Sequence, residues 1–326
     1  MNILVTGAAG FIGKNFVSHC LSGKAELTLI DKLSPVSDED TWNFYYQIVG
    51  AAKESIIKHV VTTDIKYVTS SNLEDWGITH VVNFAAETHV DRSITNPLYF
   101  TESNVVSTHS LLEQCRKYGK LEKFVQVSTD EVYGSLSDSE APFTEHSPLK
   151  PSSPYSASKL AQDAMAMAYY HTYGLPVCIT RCSNNYGYGQ AKEKFIPKVI
   201  DSVLSYSPIT IYGDGLNVRD WIHVDDHCKG VMLTVENGVP GEVYNLGGNN
   251  EHSNIEVVHK ILKIYEEITG EDRSGLITFV EDRLGHDYRY AIDSTFAKGS
   301  IGFEPKTSFE DGLEECVEDY INARYL

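Results

Sequence analysis

The chain has 326 residues, 42% hydrophobic and 22% charged, with a formal net charge of −18. That length buries a large core as one big domain or two unequal ones, and the acidic balance argues against a nucleic-acid partner, whose binding is built from clustered Lys and Arg. No apolar run approaches the roughly 20 residues that cross a bilayer, and the first seven residues read as a strand entering a turn rather than a targeting segment, so a soluble, cytoplasmic protein without a membrane partner is expected.

In chain order, apolar runs rich in β-branched residues fall at 2–6, 26–30, 59–63, 80–84, 123–128 and 177–181. Between them, helical spacing predicts helices over 11–21, 97–118 and 154–173. Strand and helix in alternation mean βαβ units, hence an α/β fold with a Rossmann-type, doubly wound parallel sheet covered on both faces. We expect this dinucleotide-binding domain over 1–181, with segments near 217–247 returning to it. Past residue 181 the turn signals thicken, and two helices are predicted near 254–269 and 309–323. Most of 182–326 is therefore read as a smaller, C-terminal substrate-binding lobe. The six cysteines (Cys20, Cys115, Cys178, Cys182, Cys228 and Cys316) show neither metal-site nor disulfide-framework spacing. They imply free thiols in a reducing compartment and no metal.

Gly7, Asp31, Ala85, Thr129 and Asn184 fall at or just past strand ends, the edge where such sheets bind ligands. In Thr6-Gly7-Ala8-Ala9-Gly10-Phe11-Ile12-Gly13, Gly7 allows a tight turn, Gly10 a close approach to a pyrophosphate, and Gly13 close helix-on-sheet packing. Phosphates then rest on the helix amino end at Phe11 and Ile12. About twenty residues on, Asp31 can accept hydrogen bonds from both ribose hydroxyls and repel a 2′-phosphate, which favours NAD; the adjacent Lys32 argues the other way. Asp64 and Ile65 are placed to bracket the adenine, with helix capping as the other reading of Asp64. Ala85 and Ala86 complete the candidate cofactor set.

Ser128-Thr129-Asp130-Glu131 offers hydroxyls and two acids in consecutive positions, and Tyr155 and Lys159 lie one helical turn apart on one face. A hydroxyl, two carboxylates, a phenol and an ammonium at one sheet edge can run a redox step and an elimination in one pocket. A free phenol has a pKa near 10, so Lys159 and a nicotinamide cation are expected to lower that of Tyr155.

The glycine turn with Tyr155 and Lys159 resembles the extended short-chain dehydrogenase/reductase superfamily. Ala85–Ser93, Ser128–Gly134, Arg219–His227 and Arg283–Asp287 narrow the likeness to the dTDP-glucose 4,6-dehydratase family, over nearly the whole chain. The resemblance implies NAD, retained through the reaction, and a nucleotide-diphosphate sugar substrate. It gives Tyr155 and Thr129 the sugar's 4-hydroxyl, Glu131 the proton on carbon 5, and Asp130 the departing 6-hydroxyl. It assigns the diphosphate to Asn184, Arg219 and Arg283, the base to Tyr212 and the segment holding Glu193 and Lys194, and a closing position to His286 and Tyr290. Thr88 and His89 would line the sugar pocket, with an ordinary hydrogen-bonded histidine as the other reading of His89.

Three departures from the family pattern stand out: Tyr188–Ala191 where a Pro usually follows Asn-Tyr-Gly, a 33–40 segment lacking Tyr-x-Gly-Asn, and Ser107 in place of Gly. The alternatives are a UDP-sugar dehydratase, a 4-epimerase, which has no use for the acid pair, and a UDP-glucuronate decarboxylase, which usually carries Ser where Asp130 stands. A non-catalytic dinucleotide sensor would be free to lose Tyr155, Lys159 or Glu131. Apolar residues on more than one face of 97–118 and 154–173, such as Met165, Met167, Tyr169 and Tyr170, imply a homodimer.

Overall fold

The computed structural model describes residues 1–34, 37–51 and 55–325, so Pro35 and Val36 of the departing 33–40 segment lie outside the described residues. The strands are β1 (Asn2–Thr6), β2 (Glu26–Asp31), β3 (Ile57–Thr62), β4 (His80–Asn83), β5 (Lys123–Thr129), β6 (Val177–Cys182), β7 (Asn184–Tyr186), β8 (Ile209–Tyr212), β9 (Val218–His223), β10 (Val243–Leu246), β11 (Glu251–Ser253) and β12 (Ile277–Val280). The helices are α1 (Phe11–Cys20), α2 (Glu39–Ala51), α3 (Ser70–Asp75), α4 (Val90–Thr95), α5 (Pro97–Phe100), α6 (Ser107–Tyr118), α7 (Pro154–Tyr173), α8 (Phe195–Leu204), α9 (Val224–Asn237), α10 (Asn254–Thr269), α11 (Thr295–Ile301) and α12 (Phe309–Tyr325).

Side chains along a strand point alternately to opposite faces, and here both faces are apolar. Ile3, Val5, Leu27 and Leu29 pack with Phe16 and Val17 of α1 and Val231 and Val235 of α9. Leu4, Ile30, Val81 and Phe124 pack on the other face with Leu111 and Leu112 of α6 and Tyr169 of α7. Burial on both faces is what a parallel sheet with crossover helices requires. The sheet has seven parallel strands in the order β10-β6-β5-β4-β1-β2-β3, a Rossmann-type arrangement. The order reverses between β1 and β4, where crevices for ligands open at the carboxyl ends.

Another core forms around Trp221, where α8, α10 and α12 bring Ile200, Ile261 and Val317 together. It is bordered by the antiparallel and parallel pairings of β11-β9-β7 and by the β8–β12 pair. No helix among the described residues is long and apolar enough to cross a membrane.

Two expectations need correction. The 97–118 stretch is not one uniform α-helix: α5 runs into a π-helical turn at Thr101–Val106 before α6 begins. Beyond residue 181 the chain forms α8, α9 and α11 in addition to the two anticipated helices. Pro197 lies in the first turn of α8, where its missing N–H costs nothing, and Gly230 sits mid-α9, where a methyl group would press on the Phe303 ring. Both residues weaken a helical pattern that packing then restores.

Candidate active site

A cleft of about 810 Å³ opens along the carboxyl ends of the parallel strands. Its floor is the turn between β1 and α1. Gly7 has φ +65°, and a side chain there would press on the backbone of Ala85; a methyl at Gly13 would collide with the Gly7 carbonyl oxygen. Phe11 and Ile12 start α1, and with Gly7, Gly10 and Gly13 they line the cleft. The exposed amino end of α1 and the bare Gly10 leave room for a pyrophosphate beside unpaired N–H groups.

Asp31 closes β2 over this turn, accepting from Ala9 N at 3.0 Å, Leu33 N at 2.8 Å and Ser37 Oγ at 2.9 Å. It faces the cleft with Ala85, Ala86, Asp64 and Ile65. Both readings of Asp64 are present: it lines the cleft, and its carboxylate caps the short turn that follows by accepting from Lys66 N at 2.9 Å. Lys32 is not a free cation awaiting a 2′-phosphate. Its ammonium lies 3.1 Å from the buried Glu87 carboxylate and 2.7 Å from Ser103 Oγ. The donor set therefore fits a dinucleotide with free ribose hydroxyls.

At the end of β5, Thr129, Asp130 and Glu131 line the cleft together with Tyr155 and Lys159. Helix α7 is positioned by a capping box between Ser153 and Ser156, with Pro154 in the first turn and Gly174 at φ 71° ending it. Tyr155 and Lys159 consequently share its buried face. The Lys159 ammonium donates to Val127 O at 2.8 Å, and burial lowers its pKa to about 8 against the pull of Asp163.

Burial, reinforced by Glu131, drives the Tyr155 phenol well above its ordinary value. In the chain's own field desolvation and the two acids prevail, so the expected lowering rests on a nicotinamide cation acting together with Lys159.

The two carboxyls differ. Burial pushes Asp130 far up, and both Glu131 and Asp220 add to the push; its Oδ2 has no partner among the described residues. Glu131 is also raised by burial, but Arg283, Lys194 and Arg219 all pull it back. Asp130 is thus the carboxyl that keeps its proton, and Glu131 the one closer to losing it.

Thr88, Asn184, Glu193 and Lys194 line the cleft. Lys194 donates to Thr88 O at 2.8 Å, and Glu193 is held by Arg92 at 2.8 Å. His89 caps α4 by accepting from Arg92 N and lies 3.9 Å from Glu193. It is thus a hydrogen-bonded histidine next to Thr88 and Glu193 of the lining. Arg219, Arg283, Tyr212, His286 and Tyr290 lie outside the lining and form a second cluster beyond Glu131.

In that cluster Arg219 gives donors to the carbonyls of Val218, Asp287 and Tyr288 and stacks 4.3 Å over the Tyr290 ring. Tyr290 donates to Asp287 at 2.5 Å, His286 bonds Asp282 at 2.6 Å, and Tyr212 reaches Asp91 at 3.4 Å. The buried Nε of Arg283 has no partner among the described residues, and Asp91 lies 3.7 Å from its Nη1. Sequence reasoning missed Lys14, Ser37, Glu87, Cys182 and Asn185, all of which line the cleft.

A glycine turn under a parallel sheet, a ribose-directed carboxylate and a Tyr–Lys helix beside a buried acid pair define a dinucleotide-dependent enzyme of the extended short-chain dehydrogenase/reductase class. The GDP-mannose 4,6 dehydratase family pattern matches residues 4–316. The chain is 44% identical over 98% of its length to a dTDP-glucose 4,6-dehydratase of Xanthomonas campestris pv. campestris, 92% of which is covered. It is 42% identical over 99% of its length to one of Streptomyces antibioticus, 93% of which is covered.

Among solved structures, the Streptomyces venezuelae dTDP-glucose 4,6-dehydratase DesIV with NAD and TYD bound superposes with a TM-score of 0.90 at 40% identity, covering 100% of this chain and 98% of that one. A UDP-glucuronic acid 4-epimerase of Bacillus cereus gives 0.88 at 30% identity, with both chains fully covered. The chain belongs to the nucleotide-sugar 4,6-dehydratase family, on its dTDP-glucose 4,6-dehydratase branch.

Proposed function

We propose that this protein converts dTDP-glucose to dTDP-4-keto-6-deoxyglucose, holding NAD throughout, with Thr129, Asp130, Glu131, Tyr155 and Lys159 as its chemical groups. The observation that carries this reading is the buried acid pair beside Tyr155, one carboxyl held protonated and the other backed by three cations. The epimerase likeness shows that the fold alone leaves the reaction open, and an epimerase needs no such pair.

The Gly7–Gly13 turn and Asp31 would hold NAD, which would supply the acceptor and donor of hydride and a positive ring. Tyr155 takes the proton of the 4-hydroxyl while Thr129 holds the same oxygen, and such a ring would offset the acids that keep the phenol neutral. Lys159 steadies the phenolate. A ketone at carbon 4 makes the proton on carbon 5 acidic, and Glu131 removes it. Asp130 gives its proton to the 6-hydroxyl, which leaves as water; with hydride returned to carbon 6, Glu131 gives its proton back to carbon 5, and the proton taken up by Tyr155 replaces the one Asp130 lost.

Asn184, Arg219 and Arg283 are assigned to the diphosphate, since guanidinium forks match its oxygens and supply local charge that the acidic whole lacks. Thr88, Glu193 and Lys194 flank the sugar and base, and Tyr212, His286 and Tyr290 close over them. We further assign residues 1–181 to the cofactor domain and most of 182–326 to the substrate lobe, a homodimeric assembly, and a cytoplasmic location, which suits six buried free thiols.

The test is mass spectrometry of the sugar after incubation with dTDP-glucose and UDP-glucose in parallel, with no cofactor added. Loss of one water, faster from dTDP-glucose, is expected. No loss from either, even with NAD supplied, would overturn the assignment.

A further inference from the structure

Lys14 follows the last glycine of the phosphate turn and faces the cleft with Gly10 and Gly13. Its ammonium pairs with Asp38 at 3.1 Å, and Asp38 in turn accepts from Thr41 Oγ1 at 2.7 Å. On its other side runs the 187–190 loop: a Cβ at Gly189, where φ is +76°, would lie 3.2 Å from Lys14 Nζ. The side chain therefore passes through a gap that a glycine keeps open, on the seam between the cofactor turn and the segment after β7.

Of the other lysines lining the cleft, Lys32 is engaged on Glu87, Lys159 on Val127 O and Lys194 on Thr88 O, while the exposed Lys192 turns to Asp201 on α8. Lys14 alone among these lysines starts in the first turn of α1, where a pyrophosphate would rest. Its partner Asp38 is partly exposed, so that ion pair holds it weakly.

We propose that Lys14 is a ligand of the cofactor's pyrophosphate, exchanging Asp38 for a phosphate oxygen when the dinucleotide enters. The exchange is chemically favourable. A pyrophosphate carries more negative charge than a single carboxylate, and it would sit among the N–H groups of the α1 amino end, in a less watery site than Asp38 occupies. In a chain of net charge −18, a cation at this point also offsets the repulsion that an anionic cofactor meets. The inference rests on the NAD reading above.

Binding, not turnover, tests it. NAD, ADP and adenosine are titrated into NAD-free protein by calorimetry, for the wild type, Lys14→Met, Lys14→Arg and the double variant Lys14→Met/Asp38→Asn. Lys14→Met is expected to weaken NAD and ADP about tenfold or more, the value of one charge-assisted hydrogen bond, and to leave adenosine unchanged. Lys14→Arg should retain most of the affinity. The double variant should stay weak, because the phosphate has lost its partner whether or not Asp38 is charged.

Wild-type affinity in Lys14→Met would overturn the proposal. So would full recovery in the double variant, which would make Lys14 only a counter-charge to Asp38. Failure of the wild type to bind NAD or ADP at all would instead sink the cofactor reading itself.

Discussion

At the scale of single residues, the division of labour between Asp130 and Glu131 follows from which charges surround each. It predicts different partial reactions for their amides. Glu131→Gln should lower kcat by about 10²–10⁴-fold and abolish uptake of solvent deuterium at carbon 5. Asp130→Asn should lower it by a similar factor yet keep that uptake, since the 6-hydroxyl alone lacks its acid; proton NMR of recovered sugar reads the difference. The same charges shape the pH profile. Turnover should fall as pH drops through the raised Glu131 value, where the base becomes protonated, and fall again as pH rises through the still higher Asp130 value, where the acid is lost. Stability carries a matching sign. Asp130 binds its proton more tightly folded than unfolded, so its burial costs nothing in acid and costs more as pH rises past the unfolded value of about 3.9. Asp130→Asn should therefore melt a few degrees above wild type at pH 8, the gap closing near pH 4. The residue types of this site were legible because strand ends and one helical turn place them together. What was not legible was the state of Tyr155, because Glu131 approaches it only through the fold, nor the pairing of Lys32 with Glu87 and of His89 with Arg92, which join distant segments.

At the scale of elements, the glycines of the β1–α1 turn and the spacing of α7 were legible in the sequence. Gly7 and Gly13 fix the β1–α1 turn by steric necessity, and Ser153, Pro154 and Gly174 bound α7 as chemistry dictates. The π-helical turn at Thr101–Val106 left no such mark, because its cause is tertiary. Asn104 lies in it, fully buried, accepting from Glu87 N at 2.7 Å and donating to Glu87 O at 3.0 Å and Ser158 Oγ at 2.9 Å. The turn sets Asn104 between α7 and the segment after β4, tying the Tyr155 helix to the strand end that carries Glu87. Ser107, where a glycine is common in the family, bonds back to Glu102 O at 3.2 Å and ends the turn. Replacing Asn104 by Ala leaves the Glu87 N–H buried without its Asn104 partner and should cost roughly 1–3 kcal/mol, measured by urea denaturation. Its effect on activity should exceed that of any exposed substitution on α6, since α7 then loses its register against the cleft. An α6-like cost and unchanged kcat would show that the turn is mere packing.

At the scale of the whole molecule, helices α5 to α7 carry a surface that the monomer does not cover. Leu98 is 79% exposed, Val106 52% and Tyr173 55%. Along the middle of α7 the exposed positions are alanines: Ala157, Ala164 and Ala168 lie in line, with Ala161 half-buried between them. Of the apolar residues spread over more than one face of α7, Tyr169 is buried in the core, and Met165, Met167 and Tyr170 pack partly buried against it. Apolar rims flanking a row of alanines let a second helix approach closely, and a two-fold axis would set α7 against its own copy, giving four helices from two chains. Multi-angle light scattering should therefore return about twice 36.4 kDa. Ala164→Glu, which places like charges across the axis, should return the single-chain mass with unchanged helix content by circular dichroism. Because Tyr155 and Lys159 sit at the start of the same helix, the monomeric variant should also melt lower and turn over more slowly. A variant that stays dimeric would move the interface elsewhere, whereas a single-chain mass for the wild type would mean that α7 meets no partner and that the exposed alanines only face water.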